Sequence, residues 1–426
     1  MKPSHPRHQR GAAALGVTLL LLFVMALVAG MASRNLVFEQ RSSANQLRST
    51  RAFEAAEAGL EWAQALLNQG AAIGTDCEAA SAAPGETAFR ERFLAFDPAT
   101  QRFDPRTWVD ASGPVALQAA CVLTDGGWAC SCPASGPPLL DTPAGSDARP
   151  AFAVQFVAVA RSGMVQLVAT GCEHIGPECM PGLAAPASGR ATARVQATLA
   201  LLPALATLPT AALTARGDIA ATGPLALVNL DPGSGGVTAR AGGSIALPLA
   251  GLGTLPGWSG ADSLAAHDTQ LGAADAERLL ARLLGLDRSR WQQLPGVRRL
   301  SCTGDCAAEL ATAIGPDSAH PLLWIEGDLE LDGPLSLGSA ERPLLLVVEG
   351  QLRLRGGVVI HGAVVTLAAS WDTAGTVDAE IDGALVALGD VRGNGAPTIV
   401  HDAGVLARLH SQFGSFTRVP GSWRDF

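Results

Sequence analysis

The pattern of hydrophobic and polar positions divides the chain into three parts, and the first part predicts a long helix. Residues Gly11 to Ser33 carry no charged side chain and include a run of leucines, so they supply the ~20 apolar residues that a membrane-spanning helix needs. From Met31 to Asn68 proline is absent and strong helix formers dominate. We therefore expect one continuous helix from Ala12 to Asn68, about 85 Å long at 1.5 Å per residue.

The second half of this helix carries a one-sided apolar stripe. Its members recur at spacings of three and four residues, which is the period of one helix face. They are Phe53, Ala56, Leu60, Ala63 and Leu67. The stripe needs a packing partner, and one alternative is a coiled-coil stalk on a single-pass anchor.

The middle of the chain has the pattern of short antiparallel strands. Residues Phe152 to Ala160 and Met164 to Thr170 are rich in β-formers and flank Arg161-Ser162-Gly163, which predicts a hairpin. Residues Ala191 to Leu199 alternate small apolar and polar side chains, and Val115 to Leu123 is a further candidate strand. A long helix followed by a small antiparallel sheet is the expected arrangement.

Beyond Pro209 short apolar runs end at Gly-Asp or Gly-Gln corners, for example at Gly217, Gly327, Gly350 and Gly389. Gly327 and Gly350 are 23 residues apart, and this period is typical of a solenoid with one coil per repeat. We expect a C-terminal parallel β-helix-like solenoid. A helical insertion at about 257–320 would cap or cover it, with a short helix within Ala273 to Leu286.

The predicted fold class is therefore α+β, and composition agrees with it. The chain has 48% hydrophobic and 16% charged residues, which excludes wholly disordered proteins, and its 48 Gly and 27 Pro disfavour a mostly helical one. The expected divisions are a leader at 1–11, the helix at 12–69 with its transmembrane part at 12–31, a globular β region at 70–208, and the solenoid at 209–426. The net charge of −9 argues against nucleic acid as a partner.

Eight cysteines follow the apolar run, and they indicate an oxidising compartment. Close spacing suggests disulfides between Cys172 and Cys179 and between Cys302 and Cys306. A zinc site is the alternative for the remaining four, but their spacing is not a paired C-x₂-C pattern. We expect the bulk of the chain to lie outside the cytoplasm. The remaining four are Cys77, Cys121, Cys130 and Cys132.

Two motifs carry a resemblance to a known family. The RGAAAL start at Arg10, the leucine run and the RAFEAAEAGL segment at Arg51 resemble the N-terminal region of PilX-type minor pilins of type IV pili. The resemblance implies cleavage after Gly11 by prepilin peptidase, methylation of the Ala12 amine and packing among other pilins. Most pilins have Glu at the fifth mature position, whereas this chain has Gly16. PilX-like chains and the tip pseudopilin of type II secretion also tend to lack that Glu.

The expected function is that of a non-enzymatic minor pilin, without cofactor or metal, at the tip or in the priming complex of a type IV pilus. It would be anchored in the inner membrane by a single span, with its C-terminal part in the periplasm and later at the cell surface, where it would support assembly and cell adhesion. Alternatives are a type II secretion tip pseudopilin, a membrane-anchored β-helix enzyme acting on polysaccharide, and an anchored adhesin that is never processed. The ligand of any adhesion is not specified by the sequence.

One acidic strand invites a different chemistry. Four carboxylates at alternate positions between Glu326 and Asp332 share one face of this strand. A calcium site or a glycosidase-like pair of acids is therefore an alternative function for them. Aligning the repeats places Glu330 beside Arg353 and Asp332 beside Arg355, which favours structural ion pairs. The chain has no catalytic motif, and its three solenoid histidines are isolated. The carboxylates are Glu326, Asp328, Glu330 and Asp332, and the histidines are His361, His401 and His410.

The last residues, Val419 to Phe426, carry two aromatic side chains among polar ones. We expect this tail to cover the open end of the solenoid.

Overall fold

The computed structural model describes residues 10–425 except 81–85, 112, 141–148, 175–178, 180–190, 303, 316–318 and 372–378. It begins with helix α1, Arg10–Leu67, whose 58 residues make it about 87 Å long. The predicted continuous helix is confirmed. Described side chains are exposed as far as Arg51, and from Ala52 one face is buried.

The second part of the chain is built from antiparallel strands. Strands β9 and β10 form the predicted hairpin, and β11 pairs with the other edge of β10. The candidate strand at Val115 to Leu123 is interrupted at Leu117, so its two pieces join different sheets. The elements are β1 (Ala72–Ile73), β2 (Thr87–Ala88), α2 (Phe89–Phe93), β3 (Leu94–Asp97), β4 (Arg102–Pro105), β5 (Thr107–Asp110), β6 (Gly113–Ala116), β7 (Gln118–Thr124), β8 (Gly127–Ser131), β9 (Ala151–Ala158), β10 (Met164–Cys172) and β11 (Thr192–Pro203).

The third part is a large parallel sheet with short helices between some of its strands. Its first strands are β12 (Leu213–Ala215), β13 (Ile219–Ala221), β14 (Ala226–Val228), β15 (Ala239–Ala241), β16 (Ile245–Ala246), β17 (Leu252–Gly253) and β18 (Leu264–Ala265). They are followed by α3 (Thr269–Gly272), α4 (Ala276–Leu284), α5 (Arg288–Trp291), β19 (Val297–Ser301) and α6 (Ala307–Ile314). The chain continues through β20 (Leu322–Glu326), β21 (Leu329–Leu331), β22 (Leu335–Leu337), β23 (Leu344–Leu354), β24 (Val358–Trp371), β25 (Glu380–Ala387), β26 (Val391–Gly393), β27 (Thr398–His401) and α7 (Ala403–Ser411).

The parallel pairing stacks successive returns of the chain on one another. Leu322 pairs with Leu345, an offset of 23 residues that equals the spacing of the glycine corners. The stacking order is not the chain order, because the first and last returns are neighbours: Leu213 pairs with Leu385. From one end of the stack to the other the strands run β18, β15, β12, β25, β24, β23, β20 and β19.

The Gly-Asp corners have a common hydrogen-bond pattern. The Asp218 carboxylate accepts the backbone N–H of Ser244 in the neighbouring return at 2.7 Å, and Asp390 accepts that of Asp218 at 3.0 Å. A Cβ on Gly243 would lie 2.2 Å from the Asp218 Oδ1 atom. Glycine therefore precedes Asp218 and Ser244, because the carboxylate of the neighbouring return occupies the space that a side chain would need.

Helix α4 covers the outer face of the parallel sheet, within the range at which a short helix is predicted. Leu280 and Leu284 are buried against a layer that includes Trp291 and Trp324. The region at 257–320 is more than a helical insertion, since it also contributes β18 and β19 to the stack.

The C-terminal tail does not cover the end of the parallel stack, and that prediction was wrong. Strands β28 (Gly414–Arg418) and β29 (Arg424–Asp425) pair antiparallel with β11. The tail returns there because β11 has a free edge beside α1, on which β28 completes the sheet. Pro203 and Gly414 are register partners, so the parallel stack is inserted between two neighbouring strands of the antiparallel sheet.

Candidate functional site: the N-terminal helix and its support

The first part of α1 projects from the rest of the molecule. It is long and apolar enough to cross a membrane, and none of its most apolar window is buried. The bond between Gly11 and Ala12 lies in its first turn. Side chains such as Leu22 and Phe23 are about two-thirds exposed, which in water leaves a large apolar surface without a partner. This surface requires lipid or other apolar helices around it.

Gly16 lies in this exposed part of the helix. No atom lies within 4 Å of the place where its Cβ would be. The position is therefore open to a neighbour, and it presents no carboxylate for a neighbouring amine.

The second part of α1 packs on the antiparallel sheet. Ala56, Leu60, Ala63 and Leu67 are fully buried, whereas Phe53 is partly exposed and meets the edge of the Trp423 ring at 6.4 Å between centroids. The stripe thus faces a sheet of its own chain. Sequence reasoning missed Ala52 and Ala55, which are also buried; their signal was the density of alanine in this segment.

Close approach of helix and sheet explains the small residues. A Cβ on Gly171 of β10 would lie 2.0 Å from the Ala52 carbonyl oxygen and 2.3 Å from the Ala56 nitrogen. Only glycine fits at that place, because the helix backbone fills the space of any side chain. The contact fixes the depth and direction at which α1 leaves the sheet.

A polar clamp closes the end of α1. The Asn68 side chain accepts the Phe416 N–H at 2.7 Å and donates to the Phe416 carbonyl oxygen at 3.0 Å. The Arg90 guanidinium donates to the carbonyl oxygens of Leu67 and Gly414. The polar groups of Phe416 on the outer edge of β28 are thereby satisfied by Asn68, the residue after α1, rather than by another strand.

The tail adds contacts further along α1. Arg418 binds Glu61 and Gln64, and the Trp423 indole donates to Glu57 at 2.8 Å. None of these contacts was predicted from the sequence, because they join positions more than 350 residues apart. The only local signal was the pair of aromatic side chains in the tail.

The structure joins all eight cysteines in disulfides, including both pairs suggested by spacing. Cys172 is joined to Cys179 and Cys302 to Cys306. The other four form Cys77–Cys132 and Cys121–Cys130. No cluster of three or more metal-binding side chains occurs in the part of the chain that the structure describes.

The acidic strand forms ion pairs, with one correction to the predicted pattern. Glu330 pairs with Arg353 in register, as predicted, and their charged groups are 3.9 Å apart. Arg355 also binds Glu330, at 2.8 Å, and not Asp332. The predicted Asp332 pair was therefore wrong. A guanidinium two residues along the neighbouring strand reaches diagonally to the same carboxylate.

The three histidines singled out in the parallel part of the chain have structural contacts. His361 lies 3.1 Å from the Asp382 carboxylate on the adjacent strand. His401 contacts the Pro209 carbonyl oxygen and His410 the Leu205 carbonyl oxygen. These contacts hold neighbouring segments of the fold together.

Comparison with known proteins identifies the helix segment. Residues 10–61 match the family model described as PilX N-terminal, which spans the exposed part of α1 and most of its packed part. The N-terminal segment is PilX-like. The resemblance to PilX-type minor pilins is thus confirmed for this segment, which is about an eighth of the chain.

Beyond the PilX-like segment the comparisons are sparse. No curated protein matches the chain. Among solved structures, the competence-associated pilin ComZ from Thermus thermophilus is similar at 12% identity. The alignment covers 89% of this chain and 97% of that one, with a TM-score of 0.20.

Proposed function

We propose that this protein is a non-enzymatic minor pilin of a type IV pilus. The observation that supports this proposal most strongly is the two-part character of α1 within the PilX-like segment. One part is apolar and exposed on every described side, and the other is seated on a sheet of the same chain. Such a helix can leave the bilayer and enter a bundle of like helices without changing its fold, because its globular support is already complete.

The proposed processing occurs between Gly11 and Ala12. Prepilin peptidase removes the basic leader at the cytoplasmic face of the inner membrane, and the new Ala12 amine is methylated. The globular part then lies in the periplasm, and extraction into the pilus carries it to the cell surface. Its disulfides suit that route, because they persist in an oxidising compartment.

We place the subunit at the tip or in the priming complex of the pilus. The globular part contains the antiparallel sheet and, between β11 and β28, the parallel stack, which we interpret as a β-solenoid domain with boundaries near 209 and 413. So large an addition would crowd a shaft of closely repeating subunits. The absence of Glu at Gly16 agrees with a terminal position, where fewer neighbouring amines need a partner.

A type II secretion tip pseudopilin is the second candidate, and Gly16 is the observation that favours it. The two candidates differ in the phenotype of a deletion strain. Loss of surface pili and twitching with normal enzyme export supports the pilus; loss of export with normal pili supports the secretion system.

Polysaccharide hydrolysis receives no support from the acidic strand. Glu330 binds two arginines, Arg353 and Arg355, and its position is explained by stacking of the strands. Replacing Glu330 with Gln should leave any glycan-cleaving activity of the purified protein unchanged.

The proposal is tested by following the protein into filaments. Filaments sheared from wild-type cells should contain the mature chain, whereas Gly11→Val should leave the precursor in the membrane and the filaments without it. Gly30→Val is the matched control, because Gly30 is exposed in α1 and no atom lies within 4 Å of the place where its Cβ would be. Equal recovery of Gly11→Val and wild-type chains from filaments would contradict the proposal.

A further inference from the structure

A cavity of about 350 Å³ lies at the junction between the antiparallel sheet and the parallel stack. Its wall combines the end of α1 at Asn68, Gly414 of β28 and residues of the parallel part such as Gly296 and Arg342. The volume is at the small end of the range for ligand pockets, ~300–1,000 Å³. Nothing in the proposed pilin function uses this cavity.

The charge of the cavity wall is positive although the protein as a whole carries −9. Three arginines line it, Arg90, Arg106 and Arg342, and Glu91 is the one carboxylate among the described lining residues. Three guanidinium groups and one carboxylate leave two positive charges. Glu91 is itself bound to Arg342, so it does not neutralise the other two.

Arg90 is the most constrained of these cations. Its hydrogen bonds go to neutral backbone carbonyl oxygens, those of Leu67, Gln412 and Gly414. Burial lowers the pKa of Arg90 to about 10, and the nearby Glu91 carboxylate opposes that shift. The guanidinium also lies over the Phe416 ring, with its carbon atom 4.8 Å from the ring centroid. Carbonyl oxygens and an aromatic face therefore hold this cation in place of a direct ion pair, whereas partly buried cations are normally paired with an anion.

The remaining wall is partly polar, through the side chains of Asn68, Gln69, Thr87 and Gln412, and partly apolar. Five large side chains provide the apolar part, from both the antiparallel and the parallel parts of the fold. They are Leu94, Phe96, Phe103, Leu322 and Phe413. A ligand that fits the cavity therefore has one anionic end and one apolar body.

We propose that this cavity binds a small organic acid, with its carboxylate among Arg90, Arg106 and Arg342 and its aromatic or aliphatic body against the phenylalanine side chains. A planar carboxylate matches the fork of N–H donors that a guanidinium presents. The bound acid would contact both the antiparallel and the parallel parts, so its binding should also raise the melting temperature of the folded chain.

The test measures binding to the full chain in lipid nanodiscs by isothermal titration calorimetry. The probes are 4-phenylbutyrate, its neutral amide 4-phenylbutyramide, and inorganic phosphate. The acid should bind and should raise the melting temperature, while the amide, which lacks the charge, and phosphate, which lacks the apolar body, should each bind at least about tenfold more weakly. Equal binding of acid and amide, or no binding of the acid, would overturn the proposal.

Two substitutions in one ion pair separate binding from folding. Arg342→Gln removes a cation and leaves Glu91 to repel the ligand, so the acid should bind about tenfold more weakly. Glu91→Gln removes the anion beside Arg342, so the acid should bind about threefold more tightly. Both variants break the ion pair between Arg342 and Glu91. If that pair only supports the fold, the affinity for the acid should change in the same direction in both variants. That result would reject the site.

Arg353→Gln is the control for the loss of an arginine. Arg353 lies on the surface of the parallel stack, beside Glu330 and outside the cavity. Its replacement should leave the affinity for 4-phenylbutyrate unchanged. A loss equal to that of Arg342→Gln would show that the acid responds only to overall charge.

Discussion

At the scale of single residues, glycine positions determine how closely the parts of this fold approach one another. Gly171 lets the backbone of α1 lie directly on β10, and Gly243 makes room for the carboxylate of the neighbouring return. In both places an atom of another segment occupies the space that a Cβ would fill. Substitution at these positions therefore acts on packing between segments.

Gly171→Ala should destabilise the folded chain by about 2 kcal/mol, because overpacking of a tight contact typically costs ~1–3 kcal/mol. The added methyl would lie 2.0 Å from the Ala52 carbonyl oxygen and would push the helix away from the sheet. Denaturant unfolding measures the change. Gly126→Ala is the control, since its nearest neighbouring atom is 4.0 Å away; equal stability of the two variants would contradict the close contact.

The Asp218 carboxylate should make stability depend on pH. Hydrogen bonds from the Ser244 N–H and hydroxyl lower the pKa of Asp218 below its ordinary value of 3.8. A carboxyl whose pKa is lowered by folding stabilises the fold above its unfolded pKa, and this contribution disappears as pH falls through the folded pKa. Asp218→Asn should thus melt at a lower temperature than wild type at pH 7, and the difference should shrink below pH 3.8. A difference that is constant with pH would contradict this origin.

At the scale of elements, the long helix is completed by a strand from the other end of the chain. Asn68 satisfies both polar groups of Phe416 on the free edge of β28, where a further strand would otherwise pair. The C-terminal strand is therefore part of the support of α1. Anything that detaches β28 should loosen the base from which the exposed helix projects.

Asn68→Ala should cost about 2 kcal/mol of unfolding free energy, because a buried polar group without a partner costs ~1–3 kcal/mol. Asn68 is 8% exposed, and its loss leaves the N–H and carbonyl of Phe416 unsatisfied on that side. Hydrogen exchange should show faster exchange of the Phe416 amide. Gln69→Ala, at an exposed position next in sequence, should leave that exchange rate unchanged; equal rates in both variants would argue against the clamp.

At the scale of the whole molecule, the parallel stack is an insertion into the antiparallel part. Pro203 and Gly414 face each other at the ends of paired strands, and a two-residue turn can join antiparallel strands at such a place. The stack therefore begins and ends at the same point of the sheet. Because of this arrangement, the antiparallel part can hold the large parallel stack while α1 stays in contact with its sheet.

Replacing residues 204–413 with Asn-Gly should yield a folded chain. We expect it to retain the three disulfides that lie before the stack, Cys77–Cys132, Cys121–Cys130 and Cys172–Cys179, as read by disulfide mapping. A control that joins Pro203 to Ser415 shifts the register by one residue and turns the strand's side chains to the wrong face. Scrambled disulfides in the first variant, or equal folding of both, would contradict the insertion.

Local features of this fold could be predicted from the sequence. The α1 helix, the hairpin of β9 and β10, and the 23-residue offset all follow from periodic patterns within short windows. The path of the tail and the pairing of Leu213 with Leu385 could not be predicted, because they join residues far apart with no pattern between them. The Arg355 contact was missed because side-chain reach along a strand depends on the twist of the sheet.

The central claim is that α1 is a pilin helix released from a leader at Gly11. Intact-mass and N-terminal analysis of the membrane-extracted protein, from cells with and without prepilin peptidase, tests it directly. We predict an N-methylated Ala12 terminus that requires the peptidase. A Met1 terminus in both strains, or a terminus near Ala32, would contradict the claim and leave α1 as a tether or a signal.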